Sequence, residues 1–197
     1  MLSSDPVEVP LSKAYRLLNH GPTVLVTTAD DTRRNVMAAA WVMAVDFDPP
    51  KIAIVIDSNT MTRKLIDATG RFSLTIPPVS AIDLTDAVGN CSGADVDKFS
   101  RFGIETYPTE PGRPPHLRAG IAWLDCEVIV ESSIQRTHDL FVARVIAAKA
   151  DPRAFANGHW VDGAPDKRTI HHIAGGNYFA AGPMIAARKA VVPTPTE

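Results

Sequence analysis

Residues 34–45 read Arg34-Asn-Val-Met-Ala-Ala-Ala-Trp-Val-Met-Ala-Val45, RNVMAAAWVMAV, and their reading decides the fold. Alanine is the strongest helix former, yet no charge falls between Asn35 and Val45, so a helix here has no polar face. The flanks settle the matter for strand. Thr23-Val-Leu-Val-Thr-Thr28 is β-branched and ends in the turn-like Ala29-Asp-Asp31, while Asp48-Pro49-Pro50 bounds the far side. The stretch reads as the second arm of a hairpin. One reading of its small side chains beside the large Trp41 is that something flat approaches this backbone closely, and the rest of the chain has to decide it.

Outward from the hairpin, Ser12 caps a short helix over Lys13–Asn19, stopped by His20-Gly21-Pro22. Lys51–Ile56 reads as a third strand, Thr62–Ala68 as a helix closed by Gly70, Phe72–Ile76 as a fourth strand and Ile82–Val88 as a helix. In Ile121–Ser132, Ala122, Leu124, Cys126, Val128 and Val130 share one face, with Asp125, Glu127 and Glu131 on the other, so Cys126 points into a core. Leu140–Ala148 is apolar on both faces apart from Arg144, which suits a strand with a core on one side and a subunit partner or helix on the other. Between Gly103 and Gly120 runs a Pro-rich loop, of a length usually functional or mobile. No internal repeat is visible, and hairpin-spaced strands with few helices point to an antiparallel barrel.

Composition narrows the function. At 197 residues the chain suits one core, with 20 Lys and Arg against 22 Asp and Glu, so there is no broad footprint for nucleic acid or an anionic membrane. Two cysteines, Cys91 and Cys126, without metal-type spacing suggest a reducing compartment, and the cytoplasm is the expectation. The six histidines build no metal site by spacing, so no metal is expected. The N-terminal MLSSDPVEVPLSK has no apolar targeting segment, and no run approaches the roughly 18 residues of a membrane span, so a soluble, untargeted protein is expected. No phosphate-loop lysine motif and no Ser or Cys nucleophile motif is present.

Three segments carry the candidate chemistry. Asp57-Ser-Asn-Thr-Met-Thr-Arg-Lys64 opens a helix with hydroxyls at Ser58, Thr60 and Thr62, a set that suits a phosphate or, more plainly, an ordinary N-cap. Lys98, after the turn at Gly93, supplies a second charge or is a surface lysine beside a buried Phe99. His171–Pro183 again surrounds aromatics, Tyr178 and Phe179, with small residues; it reads as a ring-stacking segment or a connector that plugs the core. His138, where a loop enters a strand, orients a ligand, transfers a proton, or is a bystander. A planar-ring slot, a phosphate pocket and an antiparallel barrel together suggest flavin mononucleotide (FMN).

From about Thr23 to Phe179 the chain resembles the flavin reductase-like FMN-binding split-barrel family, in particular its flavoredoxin-like branch. The resemblance rests on Asn35–Trp41 followed by Asp48-Pro49-Pro50, Thr60-Met-Thr62, Arg71-Phe-Ser-Leu-Thr-Ile-Pro77, Ser92-Gly93 followed by Asp97-Lys98-Phe99, Leu124-Asp-Cys-Glu-Val128, and His138-Asp-Leu-Phe-Val-Ala-Arg-Val145. It implies a mainly β Greek-key split barrel with peripheral helices over residues 23–187, after an arm and short helix at 1–22 and before a disordered tail at 188–197. It also implies a homodimer with FMN near the interface and electrons from NADH or NADPH, passed to a monooxygenase or another acceptor. By position, Asn35, Val36, Met37, Ala38, Ala39, Ala40 and Trp41 would lie along the flavin ring. Ser58, Asn59, Thr60 and Thr62 would meet the phosphate with Lys98 nearby, Tyr178 or Phe179 would border the ring, and His138 would be the catalytic candidate. Two departures stand out: Arg136-Thr137 replaces the Gly-Asp that many relatives carry before that histidine, and Asp57 replaces a frequent basic residue, leaving Arg63 or Lys64 to compensate. The alternative function is a flavin carrier, store or sensor without nicotinamide turnover.

Overall fold

The computed structural model describes residues 5–14 and 21–187. Most of the expected Lys13–Asn19 helix and the whole 188–197 tail lie outside them; what is described there is α1, Leu11–Ala14. Seven strands form one antiparallel path: β2 (Val24–Ala29), β3 (Arg34–Ala39), β4 (Val42–Phe47), β5 (Pro50–Val55), β6 (Arg71–Ile76), β7 (Ala122–Ile129) and β8 (Leu140–Ala150). Their order is β3-β2-β6-β7-β8-β5-β4, and β1 (Val7–Glu8) adds to β8. The pairings β2 with β6 and β5 with β8 join strands distant in sequence, which is the Greek-key crossing.

This order corrects the hairpin reading of residues 34–45. The stretch is two strands, and they lie at opposite ends of the path: β3 pairs with β2, whereas β4 pairs with β5. The chain therefore turns a corner at Ala40-Trp41 and brings the two ends of the sheet together without a ladder between them. A sheet that rolls up must bend somewhere, and small side chains remove the steric resistance to bending there.

Val24, Val26, Ile52, Ile54, Phe72, Leu74, Leu124, Cys126, Phe141, Ala143 and Val145 fill the barrel interior. β2 is buried along its whole length because a second cluster covers its outer face: Leu25 packs with Val36, Val88, Phe99, Ile104 and Leu117. The cover comes from α3 (Ile82–Gly89), α4 (Lys98–Arg101) and the Pro-rich loop. That loop is fastened. Thr27 Oγ1 donates to Pro115 O at 2.7 Å, Trp123 Nε1 donates to Leu117 O at 2.9 Å, and His116 Nε2 lies 2.8 Å from Asp125 Oδ1. Burial pushes the Asp125 carboxyl up, but the His116 hydrogen bond and charge, with the Ser73 hydroxyl, outweigh it and leave the carboxyl below its ordinary value.

α2 (Met61–Thr69) begins where the sequence places it, with Thr60 capping Arg63 N–H and Gly70 closing it. α5 (Ser132–His138) is a helix where a loop was expected, so His138 is the last residue of a helix and not a loop residue entering β8. Two short hairpins complete the chain: β9 (Phe155–Ala156) with β10 (His159–Trp160), and β11 (Ile170–Ala174) with β12 (Asn177–Ala180).

Candidate functional site

At the C-terminal end of β3 a cavity of about 540 Å³ is walled by Ala38, Ala39, Ala40 and Thr23 on the sheet side. α3 contributes Asp86 and Gly89, with Asn90 just beyond it, and the β11–β12 hairpin contributes His172, Gly175, Gly176 and Tyr178. Volume in this range is typical of sites for small organic molecules. Gly175 and Gly176, at φ 57° and 76°, make the tight turn that folds the hairpin over the cavity.

The hairpin is anchored at several points. Tyr178 Oη donates to Asp86 Oδ1 at 3.3 Å, and Asn90 Nδ2 donates to Asp86 Oδ2 at 2.9 Å. His172 N–H donates to Thr23 Oγ1 at 2.7 Å, and the His172 and Tyr178 rings meet edge to face with centroids 5.1 Å apart. Burial, the Asp86 charge and the hydrogen bond to it raise the Tyr178 hydroxyl above the usual phenol value, so it remains a neutral donor. Asp86 and Asn90 carried no local signal in the sequence, and His172 lay within the His171–Pro183 segment without being singled out; α3 and the hairpin bring them together from segments about 85 residues apart.

The structure divides the predicted residues into those that reach this cavity and those already engaged elsewhere. Ala38, Ala39, Ala40 and Tyr178 reach it. Asn35 is buried, its Nδ2 donating to Thr62 Oγ1 at 2.8 Å, and a Cβ on Gly93 would fall 2.0 Å from Asn35 Oδ1. Only glycine permits that approach. Val36 lies in the outer cluster and Met37 packs on the barrel interior, so neither presents its side chain to the cavity. Trp41 is 75% exposed and Phe179 66% exposed, and neither lines the cavity.

Lys98 is not a free cation. It is 3% exposed, and its Nζ donates to Val36 O at 2.9 Å and Val88 O at 2.7 Å, tying β3 to α3. Desolvation lowers its ammonium below the ordinary lysine value, partly offset by Cys91. Arg63, a candidate substitute for the missing base before α2, is likewise held inside, by Asp67, Asp139, Ile56 O and Gln135 O. Thr60 is spent as the cap, accepting from Arg63 N–H and donating to Asp57 O. Asn59 is turned onto Asp57 Oδ1 by both its backbone and side-chain nitrogens, and Ser58 is exposed. His138 is exposed at the end of α5, outside the cavity lining.

At the opposite end of β3 lies a smaller cavity of about 360 Å³, lined by Thr32, Arg33, Arg34, Met61 and residues 93–97. β3 thus runs from a cleft of balanced charge, Arg33 and Arg34 with Asp95 and Asp97, beside the first residue of α2 to the alanine-walled cavity. Among the described residues no group of three or more His, Cys, Asp or Glu side chains is placed to hold a metal, and no helix is long and apolar enough to cross a membrane.

The family model of the flavin reductase-like domain matches residues 16–169. YddH of Escherichia coli K12 is 41% identical over 184 residues, 92% of this chain and 97% of that protein. HsaB of Mycobacterium tuberculosis, the reductase subunit of a flavin-dependent monooxygenase, is 27% identical over 77% of this chain and 80% of its own. An FMN-binding domain of a flavin reductase-like enzyme from Shewanella baltica superposes with TM-score 0.92 at 42% identity, covering 95% of this chain and all of that one. Flavoredoxin of Desulfovibrio vulgaris superposes with TM-score 0.73 at 26% identity, covering 85% of this chain and 90% of its own.

Proposed function

The chain belongs to the flavin reductase-like domain family, and from that premise we propose that it binds FMN and accepts hydride from NADH or NADPH. The observation that carries the reading is the cavity at the end of β3, with three consecutive alanines on one wall and Gly175, Gly176 and Tyr178 on the other. Such a slot has room for a planar ring and no bulky side chain to displace. The isoalloxazine would lie there along residues 35–41, with backbone groups of that stretch at its polar edge. The phosphate would be met by the Ser58 hydroxyl and by the N–H groups of Met61 and Thr62, which a helix leaves unpaired in its first turn. The Thr60 and Thr62 hydroxyls act beneath this set, one as the cap and the other as the acceptor that orients Asn35.

FMN, when bound, supplies the hydride chemistry, and the protein's contribution is position and electrostatics. Asp86, itself held by Asn90 Nδ2, accepts from the Tyr178 hydroxyl, so the Tyr178 ring is fixed as a flat border. Holding the reacting atoms at near-attack distance, about 3–3.5 Å, accounts for much of the acceleration in such transfers. No proton donor is required from His138, which lies outside the cavity. The electrons would pass on to a monooxygenase or another acceptor, as the role of HsaB suggests, and the working form would be a homodimer.

Anaerobic mixing tests this. Excess NADPH or NADH is expected to bleach the flavin absorbance of the holoprotein within seconds. Bleaching by dithionite but by neither nicotinamide would replace the reductase reading with that of a flavin carrier, store or sensor.

A further inference from the structure

A third cleft, of about 510 Å³, opens between the β2–β3 turn and the Pro-rich loop, and its lining carries Arg33, Arg34, Arg113 and Arg118. Two of the acids there are already engaged. Asp30 accepts from Thr32 N–H at 2.7 Å, the Thr32 hydroxyl at 2.8 Å and Arg33 N–H at 2.7 Å, all within its own turn. Glu110 faces Arg113 at 3.9 Å. With Asp31 the lining holds three carboxylates against four guanidiniums, so positive charge is in excess by one.

One of the cations, Arg118, is held in advance of any ligand. The Arg118 guanidinium lies over the Tyr107 ring at 4.6 Å, and its Nε donates to Thr106 O at 3.3 Å. The loop beneath is pinned by Thr27, Trp123 and Asp125, as described above, and by Tyr107 N–H donating to His116 O at 3.0 Å and Arg118 N–H to Glu105 O at 2.9 Å. A guanidinium fixed in this way loses little freedom on meeting an anion, and its planar fork matches a phosphate. Pro108, Pro111 and the guanidinium planes also offer flat apolar surface to a base. A cleft of this size with that mixture suits a nucleotide better than an inorganic anion.

Its position narrows the choice. The cleft shares Thr32, Arg33 and Arg34 with the smaller cavity beside Met61, and β3 leads from there to the alanine-walled cavity. With FMN lying along β3, a dinucleotide whose nicotinamide stacks on the open side of the flavin can extend its other end past the FMN phosphate toward these arginines. We propose that the cleft holds the adenosine end of the nicotinamide dinucleotide, with Arg113 and Arg118 meeting a 2′-phosphate, so that the chain prefers NADPH to NADH. This rests on the nicotinamide reading above. Arg136, another candidate for such a role, is on α5 and does not line this cleft.

Calorimetric titration of the purified holoprotein with adenosine 2′,5′-bisphosphate and with 5′-AMP tests it, because the two differ by the 2′-phosphate alone. The bisphosphate is expected to bind about tenfold tighter or better. Arg113→Gln, at an exposed position, and Arg118→Gln should each erase most of that difference, leave FMN affinity unchanged, and raise KM for NADPH with kcat retained. Equal affinity for the two nucleotides, or a loss that falls on FMN or FAD instead, would overturn the assignment. Nucleotide binding is read here without turnover. A chain that discriminates the bisphosphate but never reduces its flavin would defeat the reductase reading alone; a working reductase without discrimination would defeat this one alone.

Discussion

Lys98→Met is expected to lower the melting temperature by roughly 5–15 °C. The ammonium is buried and serves two backbone carbonyls, Val36 O and Val88 O. Each carbonyl left inside without a donor costs about 1–3 kcal/mol, and methionine fills the space without replacing either bond. Lys64, exposed on α2, is the control, because a surface substitution usually stays within about 0.5 kcal/mol. The pH dependence has a definite sign. Burial lowers the folded-state value, so between it and the ordinary lysine value the unfolded chain binds more protons, and stability rises with pH through that window. The methionine variant should lose that rise. A melting point within a degree of wild type would show that the Lys98 bridge between β3 and α3 contributes little.

Met43→Arg is expected to break the proposed homodimer into monomers. On β4, Trp41, Met43, Val45 and Phe47 are 75%, 60%, 52% and 66% exposed. They extend across the sheet in register: Met43 pairs with Ala53, Ala53 with Val142, and Val142 with Ile129. Trp41 O accepts from Val55 N–H, and Val55 pairs with Leu140. An exposed apolar stripe of this kind suits an interaction site, and in the proposed homodimer a two-fold interface would cover it with a second copy of itself. The sequence pointed to the outer face of Leu140–Ala148; in the structure that face is the half-buried continuation of the more exposed β4 stripe. A charge at its centre, appearing twice by symmetry, should cost about 2 kcal/mol or more, some thirtyfold in dissociation constant. Sedimentation should give twice the 21.2 kDa chain mass for wild type and the chain mass for the variant at micromolar concentration. Wild type running as a monomer with FMN bound would contradict the dimer.

What the sequence made legible was local. The alternation of Ala122, Leu124, Cys126 and Val128 against Asp125 and Glu127 located β7 and its buried face, and Thr60 with Gly70 bracketed α2. What it hid depended on pairing between distant segments. The corner at Ala40-Trp41 exists because β2 joins β6 and β5 joins β8, and nothing within residues 34–45 encodes those ladders. α5 was missed because Ser132–His138 holds one large apolar residue, Ile134, and so shows no helical period. Lys98 read as a charge for a phosphate or as a surface lysine, and its buried bridging role was hidden because the carbonyls it serves lie 62 and 10 residues away. The small-residue composition of Ala38–Ala40 and of 174–182 was visible; that these two segments face each other across one cavity was not a local property.

The central claim is that this cavity is a flavin slot, and the structure now fixes the register that tests it. Ala39 lines the cavity and also packs against the barrel interior, whereas Ala40 sits at the corner and lines the cavity without packing on the interior cluster. The most direct measurement is the rise in melting temperature that added FMN confers on Ala39→Leu and Ala40→Leu. Overpacking costs about 1–3 kcal/mol, so Ala39→Leu should melt lower with or without FMN. Ala40→Leu should melt like the wild-type apoprotein yet lose the FMN-dependent rise, which for wild type at a hundred times Kd corresponds to about 2.7 kcal/mol. If Ala40→Leu keeps the full rise, the alanines pack against protein alone and the flavin does not lie along β3.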